Sequence, residues 1–397
     1  MKYKILLISQ NFYPELGSAA NRMKNIFEQL QKRGFNPMIV TTDPSYPNRE
    51  IFKSERYFDN DALNQLEGTQ IHRIHMRFDK QHPNLVYRLL YYLELTVKLK
   101  YYLKRLDGFE NIFVSSPNIF MAWATLFFKK NKRAKYFLEI RDLWPDSFID
   151  IGKFKLKYSK PILKFLEKQM YKQADDVVIN NPFFETYIKN MIGDDKHFIY
   201  MPNAITKSEV QPTHKLEAFS VIYTGNIGYA QDVEQLISIA RQLNAKKVHF
   251  TAIVYGVKAD RFRSAVKQEC MHYVRLIPPL KREECLAMIS THHVSLSILK
   301  NTPVFMNVMP GKIVDSICSG TPVVSNLGET VCDLIQQSGV GFSKENASLE
   351  EIVNYILELK NNPQLLKQTI DNTQSLRDAD FIWENNIEQL TQRLRRG

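Results

Sequence analysis

The residue types best suited to chemistry cluster in the stretch Thr302–Ser325, TPVFMNVMPGKIVDSICSGTPVVS. Pro310 and Gly311 open a predicted helix with Lys312 and Asp315 in its first two turns. Gly320 is a natural left-handed stop past its end, and Pro322-Val323-Val324 begins a buried strand. A helix N-terminus with spare N–H groups beside a lysine suits a phosphate, and a carboxylate one turn further in suits a sugar hydroxyl. Together they would hold a nucleotide sugar by both ends of its polar part. An ordinary βαβ unit carries the same punctuation, so this stretch alone leaves both readings open.

Three further stretches invite the same question. In RDLWPDSF, Arg141, Asp142 and Asp146 lie with Trp144 and Pro145 at a predicted strand's C-terminal end, where open α/β sheets build sites. Trp144 offers a flat wall for a sugar, and an arginine there calls for an anionic partner; a capping box with a buried tryptophan is the plain alternative. In FYPELGSAANRM, Gly17 makes the turn between the first strand and the first helix, with Ser18 as its expected cap. GNIGYAQDVEQLI repeats that arrangement in the second half, with Gly225 and Gly228 in the turn and Gln231 and Asp232 opening the helix.

To position these groups the chain needs more than one core. At 397 residues, two domains are expected. Apolar residues at 44% and charged ones at 24% are those of a globular protein. The formal net charge of +11 favours polyanions: nucleic acid, an acidic bilayer or phosphorylated ligands. MKYKILLIS is too short for a signal segment and reads as a first strand, and no membrane span is expected. Cys270, Cys285, Cys318 and Cys332 lack metal-binding spacing and read as reduced thiols. His72 and His75 do not suit a shared metal, and His292 and His293 read as structural.

Strand–helix alternation begins at Lys4–Ser9 and continues through predicted strands at 37–42, 69–76, 111–115, 136–140, 176–180 and 197–200. The polar stretch from Met201 to Lys215 is the best boundary, after which the alternation restarts at 220–224. Five more strands follow at 248–254, 274–276, 294–298, 322–325 and 340–342, and Asp380–Arg396 closes the chain as an amphipathic helix. The domains are thus 1–203, 204–376 and a returning segment 377–397, with two Rossmann-like α/β domains facing across a cleft. Two basic stretches stand out. Arg88–Arg105 mixes cations with Leu and Tyr on a helix, and Lys153–Lys172 sets seven lysines against Glu167 alone. Both suit the headgroup layer of an anionic membrane, and a core helix with a solvated basic face is the alternative for the first.

Taken in order, FYPELGSAAN, RDLWPDS, GNIGYAQ and PGKIVDSICSGTPVV resemble the retaining glycosyltransferases of family 4, over nearly the whole chain. The pairing of RDLWP with GNIG-x-x-Q is similar to the branch that builds O-antigen and capsule repeat units, including N-acetylfucosamine transferases. The resemblance implies the GT-B fold, with a second domain holding a UDP-sugar and a first domain holding a polyprenyl-diphosphate-linked saccharide. It implies donor contacts from Gly17, Gly225, Asn226, Gly228, Gln231, Asn307, Pro310, Gly311, Lys312 and Asp315, and acceptor contacts from Trp144 and Asp146. Lys312, aided by Arg141 or Lys300, would neutralise the departing diphosphate, and Asp142 would orient the acceptor hydroxyl. No metal and no cofactor beyond the UDP-sugar is implied; the DxD strings at Asp59–Asp61 and Asp378–Asp380 do not follow apolar strands.

The chain departs from the family pattern at four positions. Asn307 stands where a glutamate is usual, Asn226 and Gln231 where an Arg and a Lys often hold the pyrophosphate, and Arg141 where a histidine often precedes the aspartate. The expected product is surface polysaccharide, made by a cytoplasmic protein peripheral to the inner face of the plasma membrane. A catalytically weakened partner subunit of another transferase and a nucleotide-sugar epimerase fit the same fold. Nucleic-acid binding has only the charge in its favour.

Overall fold

The computed structural model describes residues 3–46, 48–54, 58–80, 82, 84–116, 118–143, 160–212, 214–306 and 308–396. Trp144, Pro145, Asp146, Lys153, Lys155, Lys157 and Asn307 lie outside the described residues. The chain divides into two compact units, 1–202 with 386–397, and 203–385.

The first unit is built on a parallel sheet of β1 (Lys4–Ile8), β2 (Asn36–Thr42), β3 (Ile71–Ile74), β4 (Asn111–Ser115), β5 (Lys135–Ile140), β6 (Asp176–Ile179) and β7 (His197–Tyr200), ordered β3-β2-β1-β4-β5-β6-β7. The second has β8 (Ser220–Asn226), β9 (His249–Tyr255), β10 (Val274–Ile277), β11 (Val294–Ser297), β12 (Val323–Ser325) and β13 (Gly341–Ser343), ordered β10-β9-β8-β11-β12-β13 and again wholly parallel. Strands such as KILLI, NIFVS and DVVI are apolar without alternation because helices cover both faces of a parallel sheet. In each sheet the order turns back on itself beside the first strand, between β1 and β4 and between β8 and β11. Successive helices diverge to opposite faces there and leave a crevice at the strands' C-terminal ends.

Several expectations shift in detail. The stretch read as a surface loop from Asp43 to Glu67 holds a 3-10 turn, Glu50–Lys53, and a short helix, Asp61–Gln65, capped by Asn60. A helix that the sequence reading passed over, Pro363–Asp380, fills the region before the expected closing helix. It is polar on most faces, burying Thr369 and Thr373, and so lacks an apolar stripe to betray it. Phe381 ends it, and the closing segment is two short helices, Trp383–Asn386 and Glu388–Arg395. The segment assigned to the first unit starts at Asn386, not at 377. Buried Leu390 and Leu394 hold it there, with Arg393 Nε 3.0 Å from Asp176 Oδ2 and Asn111 Nδ2 donating to the Leu394 carbonyl.

The basic helix is also reorganised. Leu85–Leu103 packs Tyr91, Leu95 and Leu99 inward, but turns Val86, Leu90, Leu93, Val97 and Tyr101 outward, so its exposed stripe is apolar rather than basic. Lys98 pairs with Glu94 at 2.7 Å, and Lys80 is withdrawn into a buried contact with Glu15. No helix among the described residues is long and apolar enough to cross a membrane.

Candidate active site

In the second unit the crevice beside β8 and β11 is walled by three loops tied together through their backbones. Ile227 N donates to the Tyr255 carbonyl, Lys258 N to the Ile227 carbonyl and Lys300 N to the Ala230 carbonyl, at 2.7, 2.9 and 2.8 Å. Gly225 (φ +106°) is the penultimate residue of β8, paired with Val254. Gly256 (φ +101°) lies so close that an added Cβ would sit 1.9 Å from Asn226 Oδ1. Gly228 gives its N–H to Gln231 Oε1 at 2.7 Å. Gln231, expected to hold a pyrophosphate, therefore uses its side-chain oxygen to close its own turn, and that glycine N–H is already taken.

The positive charge at this edge comes from outside the glycine turn. Lys258 follows β9 and Lys300 follows β11, and burial together with Lys258 holds the Lys300 ammonium below its ordinary range. Two crowded ammonium groups at a crevice mouth form a seat for a polyanion. Among the described residues, Ser297 Oγ, Thr302 Oγ1 and Lys312 Nζ, all from β11 through the following helix, are buried without a hydrogen-bond partner. Buried polar atoms are nearly always bonded, so each of the three has capacity for one more hydrogen bond.

Gly311–Cys318 is a helix as expected, with Pro310 as its N-cap and Gly320 (φ +68°) just past its end. Its two charged residues do not present themselves as the sequence suggested. Lys312 lays its amino group over the buried Tyr223 ring, 4.0 Å from the centroid, and burial pushes it down to about 7. Asp315 Oδ1 accepts from Arg282 Nη2 at 3.0 Å, while Arg282 Nε reaches Glu209 at 2.7 Å. Burial works against the Arg282 charge, but Asp315 and Glu209 outweigh it and hold the guanidinium protonated. The two residues share the helix but not one ligand-facing cluster.

In the first unit, buried orphans also gather just past strand ends: Glu15 Oε2 after β1, Ser116 Oγ after β4, Arg141 Nε after β5 and Asn180 Oδ1 after β6. Beneath them Glu139 Oε1 accepts from Arg22 Nε at 2.7 Å, and Ser115 donates to Glu139 Oε2. Arg22 also donates to the carbonyls of Met201 and Pro202, at 2.7 and 3.0 Å. Burial lowers the Arg141 pKa and raises that of Asp142, the latter offset in part by Arg141. A carboxylate with a raised pKa is suited to accept a proton.

Gly17 (φ +136°) caps the helix Ser18–Lys32 from the N-cap position, one residue before the Ser18 expected there. Its loop is anchored by Glu15, whose Oε1 accepts from Ser45 N, Tyr46 N and Lys80 Nζ at 2.8, 3.1 and 2.8 Å. Ser116, Asn180, Ser297, Thr302 and Lys258 escaped the sequence reading because single polar residues after apolar strands form no motif. Position after a strand was the one available signal. His292 and His293 are structural, bonded to Thr251 and Ser220.

Residues 205–376 match the family model for glycosyl transferases group 1. WbjE of Pseudomonas aeruginosa, named as a glycosyltransferase, is 22% identical over 245 residues, 57% of this chain and 60% of that protein's length. WcaI of Escherichia coli (strain K12), named as a colanic acid biosynthesis glycosyl transferase, is 21% identical over 375 residues, 88% of this chain and 90% of its own. Among solved structures, the sucrose-phosphate synthase of Thermosynechococcus elongatus superposes with a TM-score of 0.75 at 13% identity, covering 100% of this chain and 99% of that one. Anabaena HepE in complex with UDP-glucose gives 0.69 at 13% identity, covering 99% and 100%. The two parallel-sheet α/β units have the GT-B fold, and the second of them carries the match to the glycosyl transferases group 1 model.

Proposed function

We propose that this protein is a retaining, metal-independent glycosyltransferase. It moves a sugar, in our reading an N-acetylated deoxyhexosamine, from a UDP-sugar to a polyprenyl-diphosphate-linked saccharide during capsule or O-antigen assembly, at the cytoplasmic face of the membrane. The observation that carries the reading is the strand-end edge of the second unit, where Lys258 and Lys300 crowd together after β9 and β11, and where Ser297 Oγ, Thr302 Oγ1 and Lys312 Nζ have no hydrogen-bond partner among the described residues. A diphosphate relieves the repulsion between the lysines, and hydroxyl and amino donors satisfy its oxygens. The family match over that unit, the UDP-glucose bound by HepE and the polysaccharide assignment of WcaI support the same reading. The sugar rests on the pairing of RDLWP with GNIG-x-x-Q.

In the transfer, the bond from the sugar C1 to the diphosphate oxygen breaks while the acceptor oxygen bonds to C1 on the same face. The acceptor proton passes to the departing phosphate; Asp142 remains our candidate for binding the acceptor hydroxyl in the first unit. The cations stabilise the charge that develops on the leaving group. Thermal shift against a panel of nucleotide sugars tests the donor: a bound ligand at 100 times its Kd stabilises by about 2.7 kcal/mol. Lys258→Ala with Lys300→Ala should weaken UDP binding at least about tenfold. Absence of a shift with every nucleoside diphosphate sugar would sink the proposal.

A further inference from the structure

The outer face of the first unit's helix layer is apolar where a water-facing surface should be polar. Along Leu85–Leu103, the positions turned outward are Val86, Leu90, Leu93, Val97 and Tyr101, spaced 4, 3, 4 and 4 residues apart on one stripe. Val97 is 68% exposed, Val86 61% and Leu93 49%, while Tyr91, Leu95 and Leu99 opposite them are buried. Ten of the fifteen exposed large hydrophobic side chains among the described residues belong to this layer: seven on this helix, Phe128 beside it, and Ile162 and Phe165 on Lys160–Gln173. Scattered exposed apolar residues are normal, whereas a stripe of this length marks an interaction face.

Its surroundings select the partner. Within the helix and its end, Arg88, Lys98, Lys100, Lys104 and Arg105 face one carboxylate, Glu94. The loop after the next helix adds Lys132 and Arg133, beside Lys129 and Lys130, which pair with Asp175 and Asp107 at 4.0 and 2.8 Å. Lys100 lies 3.6 Å from the exposed Phe128 ring, and Arg105 lies 4.0 Å from that of Tyr101, so cations and aromatic rings interleave at the rim. The half-buried rings of Tyr92, Phe120, Trp123 and Phe127 follow one another at 5.0, 5.5 and 6.4 Å between the helices. A second copy of the chain would bring the same cations against these, which charge repulsion disfavours. An anionic headgroup layer over acyl chains matches both the rim and the stripe.

We propose that this face docks on an anionic bilayer, with the Leu85–Leu103 helix lying in the interface plane and its apolar stripe inserted below the headgroups. The helix is about 28 Å long at 1.5 Å per residue. Its first turns reach the strand-end edge, where Gln10 Nε2 donates to the Tyr91 hydroxyl at 3.3 Å. Docking therefore sets that edge against the bilayer surface, within reach of a lipid-borne substrate. Insertion differs from charge attraction alone, because its apolar part survives added salt.

Co-sedimentation of the full chain with phosphatidylglycerol–phosphatidylcholine vesicles tests this. The parent should bind, and Leu93→Ser with Val97→Ser should lower the partition at least about tenfold at low salt and abolish it at high salt. Lys104→Glu with Arg105→Glu should lower it at low salt only. UDP-induced thermal stabilisation, unchanged in both variants, reports that they fold and keeps this test separate from the donor assignment. Undiminished vesicle binding by Leu93→Ser with Val97→Ser would overturn the proposal. So would a parent that ignores vesicles, whether or not it self-associates through this face or captures an acidic protein.

Discussion

The two strand-end edges are alike in topology and unlike in how they are held. Both follow a 3-2-1-4-5-6 order, which the first extends by a seventh strand, and both have a positive-φ glycine near the first strand's exit, Gly17 in the loop after β1 and Gly225 at the end of β8. The first unit secures its edge with charge taken out of water: Arg22 and Glu139 are 1% and 0% exposed, and Lys80 closes on Glu15. The second secures its edge with backbone contacts and small residues, and leaves its ion triad, Glu209–Arg282–Asp315, about a quarter exposed. A buried pair is costly to break because the survivor is stranded, whereas a half-exposed one turns to water. The first edge is therefore specified by side-chain pairs, and the second by the close approach of chain to chain.

The strongest way to break this contrast is Glu139→Ala, which strands the Arg22 guanidinium. It should cost about 3–5 kcal/mol in the first unit's denaturant transition, while Arg22→Met with Glu139→Leu recovers much of the loss. A result below about 1 kcal/mol for Glu139→Ala would erase the distinction.

A comparable sharpening is available inside the second unit, where two lysines suffer the same burial. Burial alone would push Lys215 to about 7, but the carbonyls of Ser290, His292 and Gly320 and the Thr321 hydroxyl all accept from it. Four acceptors favour the ammonium, so we regard it as charged and structural. Lys312 has no acceptor among the described residues. Lys215→Met should cost about 3 kcal/mol or more by leaving those oxygens unbonded, and Lys312→Met less than about 1 kcal/mol, both read from denaturant melts.

Next in size, Gly256→Ala drives a methyl into Asn226 and should cost on the order of 1–3 kcal/mol, whereas Gly17→Ala meets only the Tyr46 ring at 3.9 Å and should cost about 1 kcal/mol of backbone strain. Equal losses in thermal melts would argue against close approach as the device of the second edge.

The smallest expected effect is a proton. With its folded pKa lowered to about 7, Lys312 is largely neutral in the free protein above that pH. The unfolded chain binds the proton up to about pH 10.4, so this group's contribution to stability rises with pH between those values. A diphosphate brought near it favours the ammonium. UDP binding at pH 8 should therefore take up a fraction of a proton, about half or more, and Lys312→Met should take up none. Calorimetry in buffers of different ionisation enthalpy reads the difference, and equal uptake would place the diphosphate away from Lys312.

The sequence by itself determined the alternation. All thirteen strands described were legible: the central ones because a parallel strand covered on both faces must be an unbroken apolar run, the edge strands β3, β7 and β10 from their place in the alternation; the glycine turns were visible because few other residues tolerate their φ. It also supplied the Gly311–Cys318 helix with its punctuation, and residues 205–376 carry a match to the glycosyl transferases group 1 model. Tertiary structure alone decided what the polar residues do. That Gln231 closes its own turn, that Asp315 is tied to Arg282 33 residues away, and that Lys258 stands beside Lys300 all depend on which loops meet at a strand edge. Likewise, whether Leu93 and Val97 faced the core or a surface was open in the sequence until the fold placed them outward. Periodicity records which face of an element is apolar, but whether that face meets protein or solvent depends on contacts between residues far apart in the chain.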